Sequence, residues 1–314
     1  MSLTLPTDLR APITQHRVAL AQAAFVTVLW STSWVLIKFG LEAMPPLVFA
    51  GLRYGLASLV LWVALISRPE KRRHLRTQSV SDWLAYSALG LVLYALTQGG
   101  QFVALSLLPA TVLSLALSCT PILVTTLSVP ILGEAASPRQ VAGVLIFLVG
   151  AWLYLETPSL ESGFAPLGLL AAAICVAANA AGSLLGRRIN RPRPTRSSPD
   201  ALVVTTASMT VGSAVLLIAG FAAEPWPSLT PRSWSIVAWL AVVNTAVAFT
   251  LWNRSLRHLT ATESSVVNNT MLIQIAILAA LFLGEPVSLS QGLGLAAATV
   301  GTLLVQLRAQ PRVP

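Results

Sequence analysis

The sequence contains ten apolar stretches, each close to the roughly 20 residues that a helix needs to cross the hydrocarbon core of a bilayer. In chain order they are Val18–Lys38, Pro46–Ile66, Trp83–Leu107, Pro109–Leu132, Pro138–Leu155, Pro166–Leu185, Ala201–Phe221, Trp234–Leu256, Thr260–Leu283 and Leu289–Leu307. Strands of a membrane barrel would alternate apolar and polar residues over about ten positions. These stretches are longer and more uniformly apolar, and a helix satisfies its own backbone hydrogen bonds in lipid. We therefore predict an all-α polytopic membrane protein with ten transmembrane helices.

The composition supports lipid as the solvent of this chain. Only 10% of its 314 residues are charged, whereas a soluble domain carries about 25%. The two cysteines, Cys119 and Cys175, lie inside apolar stretches and indicate no disulfide framework. The first 17 residues are polar and lead into a long apolar stretch without a small-residue cleavage site. We therefore expect no secretory signal peptide.

Basic residues are sorted between alternate connections of the predicted helices. The connection after the second helix holds five of them, as does the connection after the sixth, and four crossings separate the two. Under a ten-helix count, 17 of the 20 Lys and Arg residues fall on that side, the exceptions being Lys38, Arg53 and Arg232. The opposite connections carry acids instead, namely Glu42, Glu156, Glu161, Glu224 and Glu285. The positive-inside rule then predicts both termini in the cytoplasm. Topology accounts for the net charge of +9, so no nucleic-acid partner is expected.

One short sequence is written twice, as LGEAASPRQVAG at Leu132–Gly143 and as LGEPVSLSQGLG at Leu283–Gly294. An ungapped alignment of residues 105–153 with 256–304, at an offset of 151, gives 16 identities in 49 positions. In each copy a glycine suits the end of one helix and an S-x-x-Q capping box suits the start of the next. The simpler interpretation is that these residues only end one helix and start the next.

The period of this repeat predicts the architecture. Each repeat would contain five helices, an odd number, so the second copy would enter the membrane inverted, as in many transporters. The predicted organisation is a cytoplasmic tail over residues 1–17, a first repeat over 18–155, a second repeat over 164–307 and a cytoplasmic tail over 308–314. Because the symmetry partner is already fused, one chain could function as a monomer.

Three parts of the sequence resemble a known family. These are WSTSWVLIKFGLEAMPPLVFAGLRYGLASLVLW (Trp30–Trp62), ALSLLPATVLS (Ala104–Ser114) and the two LGE hairpins. Together they resemble the EamA-type branch of the drug/metabolite transporter superfamily, as two EamA-like units that cover essentially the whole chain. The resemblance implies a ten-helix carrier with cytoplasmic ends and a substrate cavity near the midplane. For many bacterial members it also implies export of amino acids or other small metabolites.

Polar and aromatic side chains deep in the predicted helices are candidates for the solute site, because an unpaired polar group is costly to bury in lipid. Tyr94, Gln98 and Gln101 share one face of the third helix at helical spacing. The predicted substrate-binding set is Trp30, Ser33, Arg53, Tyr94, Gln98, Gln101, Asn244, Asn253, Asn268 and Gln274. Helix packing and hydrogen bonding to the backbone are the alternative roles for such residues.

Arg53 is the only charge well inside a predicted helix. It lies about 10 Å from the outer end of the second helix at 1.5 Å per residue. Its stem could carry the guanidinium back to the interface. Alternatively, Arg53 binds a substrate carboxylate or lines an outer gate. The middle of the first helix carries no acid of the kind that couples protons to export in small multidrug relatives, so coupling of that type is not expected.

Enzymatic chemistry is not expected. The three histidines lie at or outside the cytoplasmic interface, and no nucleophile, metal-ligand or phosphate-binding motif is present. We predict no cofactor and no metal site. The predicted function is secondary transport of a small polar or amphipathic metabolite across the inner (plasma) membrane by alternating access, with amino-acid or metabolite export first. Efflux of drugs or toxic amphiphiles is the alternative, and a non-transporting receptor or scaffold is the alternative from another class.

Overall fold

The fold is taken from a computed structural model that describes residues 7–124, 137–155, 165–190, 200–227, 229–255, 258–259 and 261–306. All regular secondary structure in these ranges is helical. The first half of the chain contributes α1 (Thr7–Leu41), α2 (Pro46–Ile66), α3 (Pro69–Arg76), α4 (Val80–Gly90), α5 (Gly99–Leu107), α6 (Ala110–Leu117) and α7 (Pro138–Leu155). The second half contributes α8 (Pro166–Asn190), α9 (Ala201–Ala223), α10 (Pro231–Ala241), α11 (Ala248–Ser255), α12 (Ala261–Phe282) and α13 (Leu289–Gln306).

Long apolar helices dominate the fold. Within the described residues, five helical segments are long and apolar enough to cross a membrane: Gln15–Leu41, Pro46–Ile66, Val80–Leu107, Pro166–Gly186 and Ala201–Ala223. Shorter apolar helices cover Ala110–Val124, Pro138–Tyr154, Val267–Phe282 and Leu289–Val305. Large apolar side chains such as Leu59, Val63 and Leu281 are exposed on the outside of the bundle, which is the arrangement expected where lipid replaces water. The described part of the chain is therefore all-helical, and its apolar helices suit a multi-pass membrane protein.

Most helix boundaries lie within five residues of the predicted ones, and two helices depart further. α1 begins at Thr7 rather than Val18, so its polar first turns, with Pro12 among them, extend the helix beyond the apolar segment. The helix that starts at Ala110 is interrupted at residues 118–119 and continues over 120–124. Pro121 explains this interruption, since proline has no N–H to donate within a helix. The predicted end of this helix, the first LGE motif with Gly133 and Glu134, and the tail at 308–314 lie outside the described residues.

A π-helical segment interrupts the α-helical run in each half of the chain. The segment π1 (Leu91–Gln98) joins α4 to α5, and π2 (Val242–Val247) joins α10 to α11. In both, a threonine hydroxyl donates to the carbonyl five residues earlier: Thr97 to Val92 at 2.9 Å and Thr245 to Leu240 at 2.8 Å. The two segments begin at the 151-residue offset found in the sequence repeat. Such widened turns in a helix occur frequently at functional sites.

The helices α7 and α13 pack against each other in a reciprocal, antiparallel way. A Cβ built on Gly143 would lie 2.7 Å from the Gly301 carbonyl oxygen, and one built on Gly150 would lie 2.6 Å from that of Gly294. Gly143 and Gly294 are equivalent positions of the repeat, as are Gly150 and Gly301. Gly143 thus contacts the counterpart of Gly150, and Gly150 contacts the counterpart of Gly143. Such a reciprocal pair of contacts is what a two-fold axis produces. Because residue numbers rise along one helix as they fall along the other, these two equivalent helices run in opposite directions.

The second LGE hairpin has the local structure that the sequence predicts. Gly284 has a φ of 65°, a left-handed conformation that suits glycine at a helix end. The Ser288 N–H donates to Gln291 Oε1 at 2.9 Å, and the Gln291 N–H donates to Ser288 Oγ at 3.2 Å. Ser137 and Gln140 form the same reciprocal pair at the start of α7. Both predicted capping boxes are confirmed.

Candidate functional site

A cavity of about 500 Å³ lies among the helices of both halves of the chain. α1, α2, π1, α6, α8, π2 and α12 all contribute to its lining, and many of the lining side chains are amides and hydroxyls. Arg53 is the one charged residue among the described lining residues. A polar cavity inside an otherwise apolar bundle is the natural place for a small solute.

The Arg53 side chain is buried inside the protein. It is only 6% exposed, and its Nη2 donates weakly to Thr245 Oγ1 at 3.4 Å. Its guanidinium carbon lies 5.1 Å from the centre of the Tyr54 ring. No hydrogen-bond partner exists for its Nε among the described residues, and none of their carboxylates forms an ion pair with it. The site therefore holds a positive charge with unused donor capacity, which suits an anionic group of a ligand.

The neighbouring residue, Tyr54, connects α2 to the other π segment. Its hydroxyl donates to Gln98 Oε1 at 2.7 Å, so the amide nitrogen of Gln98 keeps its donors. Tyr94 stacks edge-on against the Tyr54 ring, with centroids 5.6 Å apart. Consecutive residues of α2 thus contact both widened turns, Arg53 at π2 and Tyr54 at π1.

Asn244 fastens π2 to α1. Its Nδ2 donates to Ser33 Oγ at 2.8 Å, to Thr32 Oγ1 at 3.3 Å and to the Leu29 carbonyl, while its buried Oδ1 has no partner among the described residues. The Trp30 indole N–H donates to the Asn244 carbonyl at 3.1 Å. A helix of normal pitch would not bring Asn244 and Thr245 to α1 and α2 in this way, because the widened turn changes the angular spacing of its side chains.

An aromatic wall, formed by Trp30, Phe249 and Trp252, borders the polar residues around Arg53 and Asn244. The centroid of the Trp30 ring lies 5.3 Å from that of Phe249 and 5.2 Å from that of Trp252, with the ring planes tilted by 56° and 50°. Trp30 and Phe249 line the cavity. The site therefore combines one cation, several amides and a flat apolar surface.

The structure brings together most of the residues predicted from the sequence. Seven of the ten line the cavity: Trp30, Ser33, Arg53, Gln98, Gln101, Asn244 and Asn268. Tyr94 is not among the described lining residues, and its ring packs edge-on against that of Tyr54. The Gln274 amide joins α12 to α1, accepting from Ser31 at 2.9 Å and donating to Thr27 at 3.2 Å. The side chain of Asn253 lies outside the described part of the structure. Substrate binding by all ten remains a prediction.

Sequence reasoning missed three residues of this centre. Tyr54, Thr245 and Phe249 were not among the candidates, although two of them line the cavity and Thr245 contacts Arg53. Tyr54 had a usable signal, since it is adjacent to the one buried charge. Thr245 had none, because its role depends on a π turn that the residue pattern does not reveal.

Comparisons with known proteins identify the family of the chain. The profile of the EamA-like transporter family matches residues 18–155 and again residues 166–307. The uncharacterized transporter YvbV of Bacillus subtilis is 27% identical over 297 residues, covering 91% of each chain. A probable amino-acid metabolite efflux pump of Escherichia coli is 26% identical and covers 73% of this chain and 75% of its own. One crystal structure aligns with a TM-score of 0.64 at 23% identity, covering 92% of this chain and 97% of the other, which is a likeness of fold alone. With two matches that together span most of its length, the chain belongs to the EamA-like transporter family.

Proposed function

We propose that the protein is a secondary transporter of the inner (plasma) membrane that exports an amino acid or a related small metabolite by alternating access. The observation that carries the proposal is the buried Arg53, which faces a polar cavity without a carboxylate partner among the described residues. A buried unpaired charge is costly to a fold. A ligand carboxylate bound during transport would neutralise the charge and so explain why it is kept inside the protein.

The rest of the cavity suits a zwitterion with an apolar part. Gln98 and Asn244 provide amides for an ammonium or hydroxyl group, and Trp30 with Phe249 offers a flat surface for a side chain. Relatives described as probable amino-acid metabolite efflux pumps, at 26% and 27% identity, are consistent with this substrate class. The same aromatic wall favours the second candidate function, efflux of a planar toxic amphiphile.

We further propose ten membrane-spanning helices in two inverted repeats, 18–155 and 164–307, with both termini cytoplasmic and one chain sufficient for transport. The reciprocal packing of α7 and α13 supports the inversion. So does the recurrence of a π segment at the repeat offset. A rocking motion between two such halves would open the cavity alternately to each side of the membrane.

Inversion predicts that equivalent positions face opposite compartments. Arg139 and Ser290 are counterparts in the repeat, and both side chains are exposed at the start of their helices. We expect a cysteine at position 290, but not one at 139, to react in intact cells with a membrane-impermeant maleimide. Permeabilised cells should label both. Equal labelling of both cysteines in intact cells would contradict the inverted topology.

Transport itself is tested with purified protein in proteoliposomes. Candidate solutes come from a metabolite profile of cells that overproduce the protein, compared with cells that produce the Arg53→Gln variant. We expect saturable flux of at least one amino acid or related carboxylate, accelerated by unlabelled solute on the opposite side. Flux restricted to amphiphiles without a carboxylate would favour the second candidate. Flux that equals that of protein-free vesicles for every solute would contradict transport.

A further inference from the structure

Glu285 reaches from the loop between α12 and α13 to the first turn of α6. Its Oε1 accepts from the Ala110 N–H at 2.9 Å, and its Oε2 accepts from the Thr111 N–H at 3.3 Å and from the Thr111 hydroxyl at 3.2 Å. α6 follows Pro109 and has no side-chain cap of its own. The first N–H groups of a helix need an acceptor and favour a negative charge. The second half of the chain thus supplies the cap of a helix in the first half.

These contacts lie at one end of the cavity. Ser114 lines the cavity one turn beyond Thr111, and Ile37 lines it immediately before Lys38. The Lys38 ammonium donates to the Leu108 carbonyl at 2.7 Å, so the end of α1 is tied to the start of α6. The Tyr154 hydroxyl donates to Thr111 Oγ1 at 2.6 Å. Together these bonds tie the ends of α1 and α7 and the loop of Glu285 to the start of α6, beside residues that line the cavity.

A second glutamate makes a chemically matching contact in a different setting. Glu224 accepts from the N–H groups of Leu47 at 3.0 Å and Val48 at 2.9 Å, at the start of α2. It follows α9, which packs on α2 so closely that a Cβ on Gly220 would lie 2.8 Å from the Val48 backbone nitrogen. No residue of α9 is among the described lining residues of the cavity, so a solute need not pass between α9 and α2. Glu224 therefore braces a pair of helices away from the path of the solute.

The setting of Glu285 is different because α6 and α12 both line the cavity. Ser114 and Ser118 face the cavity from the α6 side, and Leu272 and Ile275 face it from α12. A solute that leaves through this end must pass between the ends of α1, α6 and α12, so the bonds that join them must separate. After separation, water can take over both the N–H groups of α6 and the carboxylate, since Glu285 lies in a partly exposed loop.

We propose that Glu285 is an access-controlling residue, a latch that holds α6 when the outer end of the cavity is closed and releases it once in each transport cycle. The inference rests on the proposed transport function. It gives Glu285 a part in gating, beyond its place in a turn between two helices. The contact of Glu224, in contrast, is expected to stay intact throughout the transport cycle.

The first test measures access to the cavity and needs no substrate. A cysteine at Ser114, in a chain with Cys119→Ala and Cys175→Ala, is treated from outside with a membrane-impermeant thiol reagent. We expect Glu285→Ala to raise the labelling rate several-fold. The matched variant Glu224→Ala removes the same kind of cap on the same side and should leave the rate unchanged. An unchanged rate in Glu285→Ala, or an equal increase in Glu224→Ala, would overturn the latch.

The second test cross-links Glu285 to the start of α6 in a way that reduction can reverse. Glu285→Cys with Ala110→Cys is joined by a short bifunctional methanethiosulfonate, and Glu224→Cys with Leu47→Cys serves as the control pair. We expect flux to fall to the level of protein-free vesicles after cross-linking at the latch and to return on reduction, while the control pair keeps its flux. Unchanged flux after complete cross-linking at 285 and 110 would refute the latch and leave the transport proposal intact. Absence of flux in the cysteine-free parent would instead refute the transport proposal, and the access measurement would still decide whether Glu285 closes the cavity.

Discussion

Arg53→Gln will lower the initial rate of carboxylate flux by about 10- to 100-fold. A hydrogen bond to a charged group contributes about 1.5–3 kcal/mol, and each 1.4 kcal/mol changes an equilibrium about tenfold. Glutamine keeps amide donors on a shorter side chain, but it has no charge to offer a carboxylate. The measurement is the initial rate of uptake into proteoliposomes at a solute concentration below saturation.

Two measurements separate this effect from a folding defect. Arg53→Lys keeps the charge without the planar donor fork, so it should retain a larger share of the flux than Arg53→Gln. The thermal stability of Arg53→Gln should equal or exceed that of the parent, because the variant removes a buried charge that has no acidic partner among the described residues. Parental flux in Arg53→Gln would show that the guanidinium does not contact the solute.

Gly301→Ala will destabilise the protein, by about 1–3 kcal/mol if the added methyl acts as core overpacking does. The new Cβ would lie 2.6 Å from the Gly143 carbonyl oxygen and would also meet the Phe147 backbone nitrogen. Neither is the flexible end of a side chain, so α7 and α13 must move apart along their whole contact. The expected result is a lower melting temperature in detergent and a smaller yield of monodisperse protein.

The control variant for this prediction, Gly292→Ala, lies on the same helix and should not lower the melting temperature. A Cβ on Gly292 would meet nothing within 4 Å. Alanine is a better helix former than glycine by about 0.5–1 kcal/mol, so Gly292→Ala should leave the melting temperature unchanged or raise it. Equal losses in both variants would indicate that glycine at position 301 matters for the helix itself and not for the contact with α7.

The positions of the helices could be predicted well from the sequence, because every segment that crosses lipid needs a stretch of roughly 20 apolar residues. Pro46, Pro138 and Pro166 begin helices where predicted, since a proline fits the first turn and ends any earlier helix. The start of α1 was placed too late, because hydropathy marks the apolar part of a helix and not its polar extension. The two π segments left no trace in the apolar pattern.

The site could be predicted in part, for a different reason. Large amides such as Gln98 and the single charge at Arg53 are conspicuous among apolar residues, and both line the cavity. Their partners depend on contacts far apart in sequence, such as Tyr54 with Gln98 and Arg53 with Thr245. Glu285 was interpreted as part of a local turn. The missing signal was at Pro109, which starts a helix without being able to cap it and so requires an acceptor from elsewhere.

The two π segments give each half of the chain a different contact with α2. π1 and π2 begin at Leu91 and Val242, the same distance apart as the two copies of the LGE hairpin. The threonines that bond across the two widened turns, Thr97 and Thr245, lie 148 residues apart and are therefore not counterparts at that offset. In consequence the two halves hold adjacent residues of one helix by different side chains, Tyr54 through Gln98 and Arg53 through Thr245.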